Sequence, residues 1–126
     1  MRAQEKKGGA RMRLGRKGED IAVAWLEGKG MQILERNYRC PLGEIDIVGM
    51  IDGAFVFVEV RSRSSAQWGT PAESVTYGKK RKLRKVAAYY LQQKKRMDAP
   101  CRFDVVGILY GAHGAPDRIE WIPDAF

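Results

Sequence analysis

Residues 43–63, GEIDIVGMIDGAFVFVEVRSR, contain the pattern that decides the fold of this chain. The pair Asp52-Gly53 divides the stretch and favours a two-residue type I′ turn, because both central positions of that turn need positive φ. Residues alternate on either side of the pair, so that Ile45 and Ile47 share one face of the first strand. Both faces of the second strand are largely apolar. The stretch therefore predicts a β-hairpin that lies centrally in a sheet and is covered on both sides.

The turn also sets the register of the hairpin. Counting outward from it puts Asp46 opposite Glu59 and Glu44 opposite Arg61. Opposed side chains have Cβ atoms about 4.5–5.5 Å apart, so the two carboxylates would face each other. Like charges in this position destabilise a half-buried sheet. The carboxylate pair therefore needs a counter-charge, a shared proton or a divalent cation.

A divalent metal site is one interpretation of this pair. Hard oxygen ligands suit Mg²⁺ or Mn²⁺, and Glu19 borders the buried stripe of the predicted first helix, where it could add a third oxygen ligand. Arg61 follows Glu59 on the same face and could approach a phosphate beside the metal. Such an arrangement is typical of phosphodiester hydrolysis. The structural alternative is a Glu44–Arg61 salt bridge, with Asp46 and Glu59 paired to nearby Arg or Lys.

The remaining chain predicts a single α/β domain over residues 14–126, preceded by a flexible basic segment at residues 1–13. The order of elements, helix, three strands, helix and two strands, predicts a mixed sheet. Outside the hairpin, the predicted elements are a helix over 14–27, an extended segment over 31–39, a helix from Ser74 or Thr76 to about Met97, and strands over 102–110 and 118–122.

The charge of the chain favours a polyanionic partner. Lys and Arg number 23 against 15 Asp and Glu, for a formal net charge of +8 and a pI near 9.7. Six cations lie between Lys79 and Lys85, in the first half of the second helix. They predict contacts with the phosphate backbone and little base selectivity, although a solvated helix face is the alternative. The candidate nucleic-acid-binding residues are Arg16, Lys17, Arg63, Lys79, Lys80 and Lys82.

Several other features bear on compartment and partners. Cys40 and Cys101 are far apart in sequence, so we expect free thiols in a reducing cytoplasm, with a disulfide as the alternative. No stretch approaches the roughly 18 apolar residues of a membrane span, and the charged N-terminal residues lack the apolar segment of a signal peptide. We therefore expect a cytoplasmic protein without a membrane partner.

Trp68 could stack on a base or cover the edge of the core, and we assign no role to His113.

A set of motifs extends from about Gly15 to Trp121, nearly the whole domain. They are residues 43–48 and 56–63 of the hairpin, residues 15–19, the Trp68-Gly69 loop, the basic helix with Lys79 and Lys82, and residues 102–106. Together they resemble the core of the restriction-endonuclease-like nucleases. Within that class the chain is most similar to the YraN-like family of uncharacterised bacterial proteins, which are relatives of archaeal Holliday junction resolvases.

The resemblance implies a three-layer α/β domain with a mixed central sheet and helices on both faces. It matches Asp46 and Glu59 to the metal carboxylates of the class, and Glu19 to the helix-borne acidic residue of the resolvase branch. It also implies a homodimer, because resolvases cut two strands symmetrically. The cofactor implied by these carboxylates is Mg²⁺ or Mn²⁺.

Arg61 departs from the family pattern, because the class usually has a lysine at that position. Arginine stays protonated and its planar guanidinium needs more room than an ammonium, although it can still neutralise phosphate charge. A proline often precedes the metal aspartate, and Ile45 takes that place here. We therefore expect a metal-dependent endonuclease that acts on DNA rather than RNA, with branched structures among its candidate substrates. The alternative is a nucleic-acid-binding module that retains the fold without catalysis.

Overall fold

The computed structural model describes residues 17–64, 70–111 and 114–126. Two α-helices, five β-strands and one 3-10 turn make up this part of the chain. In order they are helix α1 over residues 17–28, strands β1 (Gln32–Cys40), β2 (Gly43–Ile51) and β3 (Ala54–Ser64), the 3-10 turn Ala72–Ser74, helix α2 (Tyr77–Gln93), and strands β4 (Cys101–Tyr110) and β5 (Pro116–Ile122).

The five strands form one mixed sheet in the order β1-β2-β3-β4-β5. Strands β3 and β4 are parallel, and the other neighbouring pairs are antiparallel. Helix α2 lies in the connection between the two parallel strands, as parallel pairing requires a long crossover. The predicted order of elements is therefore confirmed, and β3 lies at the centre of the sheet.

The predicted hairpin turn forms between β2 and β3. Asp52 and Gly53 have φ values of 50° and 79°, which are the two positive values of a type I′ turn. Ile51 pairs with Ala54, and the ladder continues to the pair of Ile47 and Val58 in the predicted register. Turn chemistry alone was therefore enough to align these two central strands.

The two helices cover opposite faces of the sheet. Ala22 and Leu26 of α1 are fully buried against one face, whereas α2 packs on the other face around Tyr90. The sheet residues are divided between the two clusters in the same way, Val56 and Val58 under α1 and Phe55 and Phe57 under α2. The chain is therefore a three-layer α/β domain. No helix in the described ranges is long and apolar enough to cross a membrane.

Helix α2 begins as expected but ends earlier. The Thr76 side chain accepts a hydrogen bond from the backbone N–H of Lys79 and caps the first turn. The helix ends at Gln93 rather than near Met97, because Lys95 adopts a positive φ of 57°. The backbone N–H of Arg96 then bonds back to the carbonyl of Leu91 at 2.8 Å, which closes a Schellman motif. No glycine marks this end, so the sequence pattern extended the helix too far.

Both edge strands of the sheet are irregular. In β1 the register with β2 shifts between Ile33 and Glu35, and Asn37 has a positive φ of 53°. In β5 the register with β4 shifts at the Leu109–Tyr110 step. Regular pairing is therefore interrupted at each side of the sheet.

Asp104 of β4 is a fully buried carboxylate with a complete set of partners. Arg102 donates to both of its oxygens at 3.0 and 3.1 Å. The indole N–H of Trp121 donates at 2.8 Å and the backbone N–H of Asp124 at 2.9 Å. One side chain thus joins β4, β5 and the C-terminal turn.

We expect Asp104→Ala to destabilise the protein by about 3–5 kcal/mol, because it leaves the Arg102 guanidinium and two N–H donors without their buried acceptor. Chemical denaturation at neutral pH measures this loss. Asp98→Ala removes an exposed carboxylate and serves as the control, with an expected effect within about 0.5 kcal/mol. Equal stabilities for the two variants would contradict the role given to Asp104.

Candidate metal and nucleic-acid site

Strands β2 and β3 separate at Asp46. Their ladder runs from the hairpin turn to the pair of Ile47 and Val58. Beyond that pair, the Asp46 Oδ2 atom accepts a hydrogen bond from the backbone N–H of Val60 at 2.8 Å. A side-chain carboxylate thus takes a bond that a backbone carbonyl would otherwise accept. The two strands fork at this point, and the fork is where the candidate site lies.

The fork interrupts the alternation of β2. Ile47 packs in the cluster under α1, but Ile45 packs with Val48 in the cluster under α2. The prediction that Ile45 and Ile47 share one face was therefore wrong. Strict alternation requires a regular ladder, and the ladder between β2 and β3 does not continue past Ile47.

The predicted cross-strand pair of Glu44 and Arg61 does not form. Glu44 lies beyond the fork and pairs instead with Arg39 of the neighbouring β1, with 3.4 Å between Oε2 and Nε. Arg61 donates to the connection between β3 and α2. The register that aligned these two residues holds only as far as Ile47.

The fork nevertheless brings the two predicted carboxylates together. Glu59 is only 5% exposed, and its side chain lies close enough to the carboxyl group of Asp46 to raise the pKa of Asp46. Burial raises the pKa of Asp46 to about 7, and the neighbouring charge of Glu59 adds to the rise. Lys79 of α2 places its Nζ atom 2.7 Å from Glu59 Oε2. Protonation of Asp46 below about pH 7 and the counter-charge of Lys79 therefore each relieve the repulsion within the pair.

Glu19 approaches the pair from α1 and contributes to the raised pKa of Asp46. Its Oε1 atom is buried and has no hydrogen-bond partner among the residues that the structure describes. Arg36 of β1 places its Nη2 atom 3.9 Å from Glu19 Oε1, but this atom is hydrogen-bonded to Asp20 at 2.5 Å. A buried carboxylate oxygen without a donor is costly, and a cation is one means of satisfying it.

These three carboxylates fit a hard divalent cation, because they supply oxygen ligands and one buried oxygen is unsatisfied. They are not pre-arranged around a common point. Among residues 17–64, 70–111 and 114–126, no three His, Cys, Asp or Glu side chains form a ready ligand set. Binding would require Glu19 to move towards the pair and Lys79 to leave Glu59.

Arg61 is held by the connection that leads into α2. Its Nε atom donates to the Ser74 hydroxyl at 3.1 Å, and its Nη2 atom donates to the Ser74 carbonyl at 2.7 Å. Its remaining nitrogen, Nη1, lies 3.7 Å from Glu59 Oε2. The Ser74 hydroxyl in turn donates to the Pro71 carbonyl at 2.6 Å. Arg61 therefore links the centre of the sheet to the turn before α2.

A cleft of about 420 Å³ opens between the start of β2 and the first turns of α2. Gly43 lies at its wall, where an added Cβ would come within 3.0 Å of Lys82 Cε and 3.1 Å of Val86 Cγ2. A side chain at this position would therefore press against α2 beside the cleft. The residues that line the cleft are Gly43, Glu44, Asp46, Gly78, Lys79, Lys82 and Leu83.

The basic residues of α2 point in different directions. Lys79 and Lys82 line the cleft. Lys80 and Arg84 instead lie over the ring of Phe126, at 5.6 and 5.5 Å from its centroid. The sequence predicted one binding surface for the cations of α2. In the structure, Lys79 and Lys82 face the cleft, whereas Lys80 and Arg84 face the C-terminal residues.

The chain also matches known proteins. The model of the uncharacterised protein family UPF0102 matches residues 18–108. A UPF0102 protein of Moorella thermoacetica is 49% identical over 116 residues, which are 92% of this chain and 97% of the relative. A UPF0102 protein of Pelotomaculum thermopropionicum is 44% identical over 117 residues, 93% of this chain and 98% of the relative. The chain belongs to the UPF0102 family. This confirms the YraN-like resemblance.

The other predicted binding residues of this UPF0102 protein lie apart from the cleft or outside the described ranges. Lys17 lies over the ring of Tyr110 at 5.8 Å and contacts the carbonyl of Gly114 at 3.4 Å. Arg63 lines a second cleft of about 220 Å³ beside Arg61 and Ser74. Arg16, a predicted binding residue, and Trp68, a possible stacking residue, lie outside the described ranges, as does His113, to which no role was assigned.

Sequence reasoning missed two features of the UPF0102 site. It assigned Lys79 to phosphate binding, but Lys79 lies at Glu59. The spacing could have shown this, because Lys79 precedes the buried Leu83 by one helical turn and so borders the buried stripe, as Glu19 does on α1. It also considered Ser74 only as a helix cap. Its bonds to Arg61 depend on the path of the β3–α2 connection, for which the sequence contains no local signal.

The raised pKa of Asp46 predicts how the metal-free protein responds to pH. In the unfolded chain this carboxyl ionises near its ordinary pKa of 3.8, but in the folded protein it does so only near 7. The protonated form therefore stabilises the fold below about pH 4, and this contribution is lost as the pH rises towards 7. The loss amounts to at most about 4 kcal/mol.

We therefore expect Asp46→Asn to be more stable relative to wild type at pH 8 than at pH 4, measured by denaturant unfolding in the presence of a chelator. Most of the change should occur between these two values. Glu44→Gln, at an exposed carboxylate of the same strand, is the control and should not show this pH dependence. A constant difference in stability between Asp46→Asn and wild type across this pH range would refute the raised pKa of the buried Asp46 carboxyl.

Proposed function

We propose that this protein is a divalent-metal-dependent nuclease that acts on DNA, including branched structures, by hydrolysis of phosphodiester bonds. The observation that carries the proposal is the buried pair of Asp46 and Glu59 at the fork, of which Asp46 lines the cleft together with Lys79 and Lys82. Two adjoining carboxylates are costly to bury in a sheet unless they bind something. The restriction-endonuclease-like motifs and the three-layer architecture support the same conclusion.

The proposed roles follow from the positions of the side chains. Asp46, Glu59 and Glu19 would hold Mg²⁺ or Mn²⁺, which supplies water activation and charge neutralisation when bound. Lys82 would bind a phosphate of the nucleic-acid backbone in the cleft. Gly78, in the first turn of α2, lies beside this position, and the positive end of the helix dipole favours an anion there. The net charge of +8 supports a polyanionic substrate.

One observation favours a second function, nucleic-acid binding without catalysis. Lys79 already neutralises Glu59 at 2.7 Å, so the fold does not require a metal to bury this carboxylate. Arg61, at the usual position of the class's lysine, is bound to Ser74. Under this alternative the protein would bind DNA with or without divalent metal and would not cut it. The homodimer and the cytoplasmic location also remain parts of our proposal.

Cleavage assays separate these two functions. We expect the wild type to cut at least one of linear, single-stranded, flapped or four-way DNA in Mg²⁺ or Mn²⁺. Asp46→Asn and Glu59→Gln should each lower the rate by about 100-fold or more, because each removes a metal ligand. DNA binding in chelator should stay level or tighten, since each change removes a negative charge beside the phosphate position. Binding without cleavage of any DNA or RNA in Mn²⁺ would favour the binding module.

A salt titration tests the cleft as the phosphate site. Lys82→Ala should weaken binding to all DNA sequences alike and lower the slope of log K against log salt by about 0.9 on duplex DNA, as expected for one lost phosphate contact. Lys29→Ala is the matched control. Lys29 lies 4.6 Å from the Trp25 ring centroid at the far end of α1, so the slope should not change. Equal effects of the two changes would indicate a general charge effect instead of a site.

A further inference from the structure

Lys79 combines a buried partner with an accessible side chain. Its Nζ atom lies 2.7 Å from Glu59 Oε2, an atom of a side chain that is 5% exposed, whereas the Lys79 side chain is 43% exposed. Its backbone is fixed, because Lys79 N–H bonds to the Thr76 cap at 3.2 Å. The ammonium can therefore leave Glu59 by rotation about side-chain bonds, and neither α2 nor the sheet has to move.

Arg61 has the opposite character. Two of its nitrogens donate to Ser74, at 3.1 and 2.7 Å, and the third lies 3.7 Å from Glu59. Turning the guanidinium towards a substrate would break both Ser74 bonds, which link β3 to the turn before α2. Arg61 is therefore suited to position the β3–α2 connection, and Lys79 is the cation of the site that can change partner.

A divalent cation on Glu59 and the Lys79 ammonium would compete for the same carboxylate. Both are positive, and at such short range in a partly buried site they repel each other strongly. The cleft offers the displaced ammonium a second place, because Lys79 itself lines it together with Lys82 and Gly78. Lysine suits such an exchange, because its ammonium is a compact charge on a flexible stem and binds phosphate without a fixed geometry.

We propose that Lys79 is an exchangeable active-site cation, which neutralises Glu59 in the metal-free protein and contacts the substrate phosphate when Glu59 binds a divalent metal. This inference rests on the proposed nuclease function. It assigns to Lys79, on a helix, the role of the lysine that the class usually has at the position of Arg61. It also predicts two effects of opposite sign on removing Lys79, namely tighter metal binding and slower cleavage.

The first test measures metal binding without DNA. Lys79→Met removes the charge but keeps most of the side-chain volume. We expect it to bind Mn²⁺ about tenfold more tightly than wild type, by calorimetry or by electron paramagnetic resonance of free Mn²⁺. Without metal the melting temperature of Lys79→Met should be lower than that of wild type. Mn²⁺ should raise the melting temperature of Lys79→Met by more than it raises that of wild type. Lys85→Met, at an exposed position of the same helix, should match wild type in all three measurements.

The second test uses Lys79→Arg, which keeps the charge and guards against a failure of Lys79→Met to fold. It should bind Mn²⁺ with nearly wild-type affinity. At saturating Mn²⁺, Lys79→Met should cut DNA at least about tenfold more slowly than wild type, whereas Lys29→Met, at the far end of α1, should cut at an unchanged rate.

The outcomes distinguish this inference from the proposed function. If Lys79→Met binds Mn²⁺ no more tightly than wild type while wild type binds Mn²⁺ and cuts DNA, the exchange is wrong and the nuclease function stands. Tighter Mn²⁺ binding with an unchanged cleavage rate would overturn the phosphate contact of Lys79. If neither wild type nor Lys79→Met binds Mn²⁺ and neither cuts, the proposed function fails, and this inference fails with it.

Discussion

The hydrogen bond from the Val60 N–H to the Asp46 carboxylate is the interaction on which the site depends. At 2.8 Å it ends the ladder between the two central strands and holds an acidic side chain in the gap. Because β3 continues in register with β4 beyond this point, β3 stays fixed at the centre of the sheet while β2 turns away. Glu59 is carried by the fixed strand and Asp46 by the diverging one. The fork thus places Asp46 at the wall of the cleft, while Glu59 stays buried beside it on the fixed strand.

Basic residues serve several purposes in this chain. Lys79 neutralises a buried carboxylate and Lys82 lines the cleft. Lys80 and Arg84 lie over Phe126, whose ring stacks on Phe103 at 5.2 Å. The C-terminal residues are therefore attached to α2 through cation–π contacts. A net charge of +8 describes the affinity of the whole molecule for polyanions, but it does not identify which cations are available to a ligand.

Much of the fold could be predicted from local patterns. The Asp52-Gly53 turn aligned β2 with β3, and the 3.6-residue spacing of apolar residues located both helices. The site was only partly predictable. Asp46 and Glu59 could be paired by counting from the turn, but alternation cannot reveal that a side chain replaces a ladder bond, so the positions of Glu44 and Ile45 were wrong.

The contacts that position the cations were harder still to predict. The bonds from Arg61 to Ser74 depend on the path of the β3–α2 connection, and the direction of Lys79 depends on how α2 packs across β2. Both are tertiary arrangements. Of these two features, only the direction of Lys79 had a signal in the sequence, namely the spacing of residues in α2. The end of α2 was missed for a different reason, because a non-glycine residue, Lys95, adopts the left-handed conformation that usually favours glycine.

The irregular edge strands have a consequence for the behaviour of the protein at high concentration. An open sheet exposes unpaired N–H and C=O groups at both sides, and these can template the addition of strands from other molecules. Here β1 is interrupted near Ile33 and again at Asn37, and β5 is interrupted at its start. An approaching strand could pair with either side over only a few residues. The same irregularities that bend the outer strands therefore protect a small domain from polymerising into fibres.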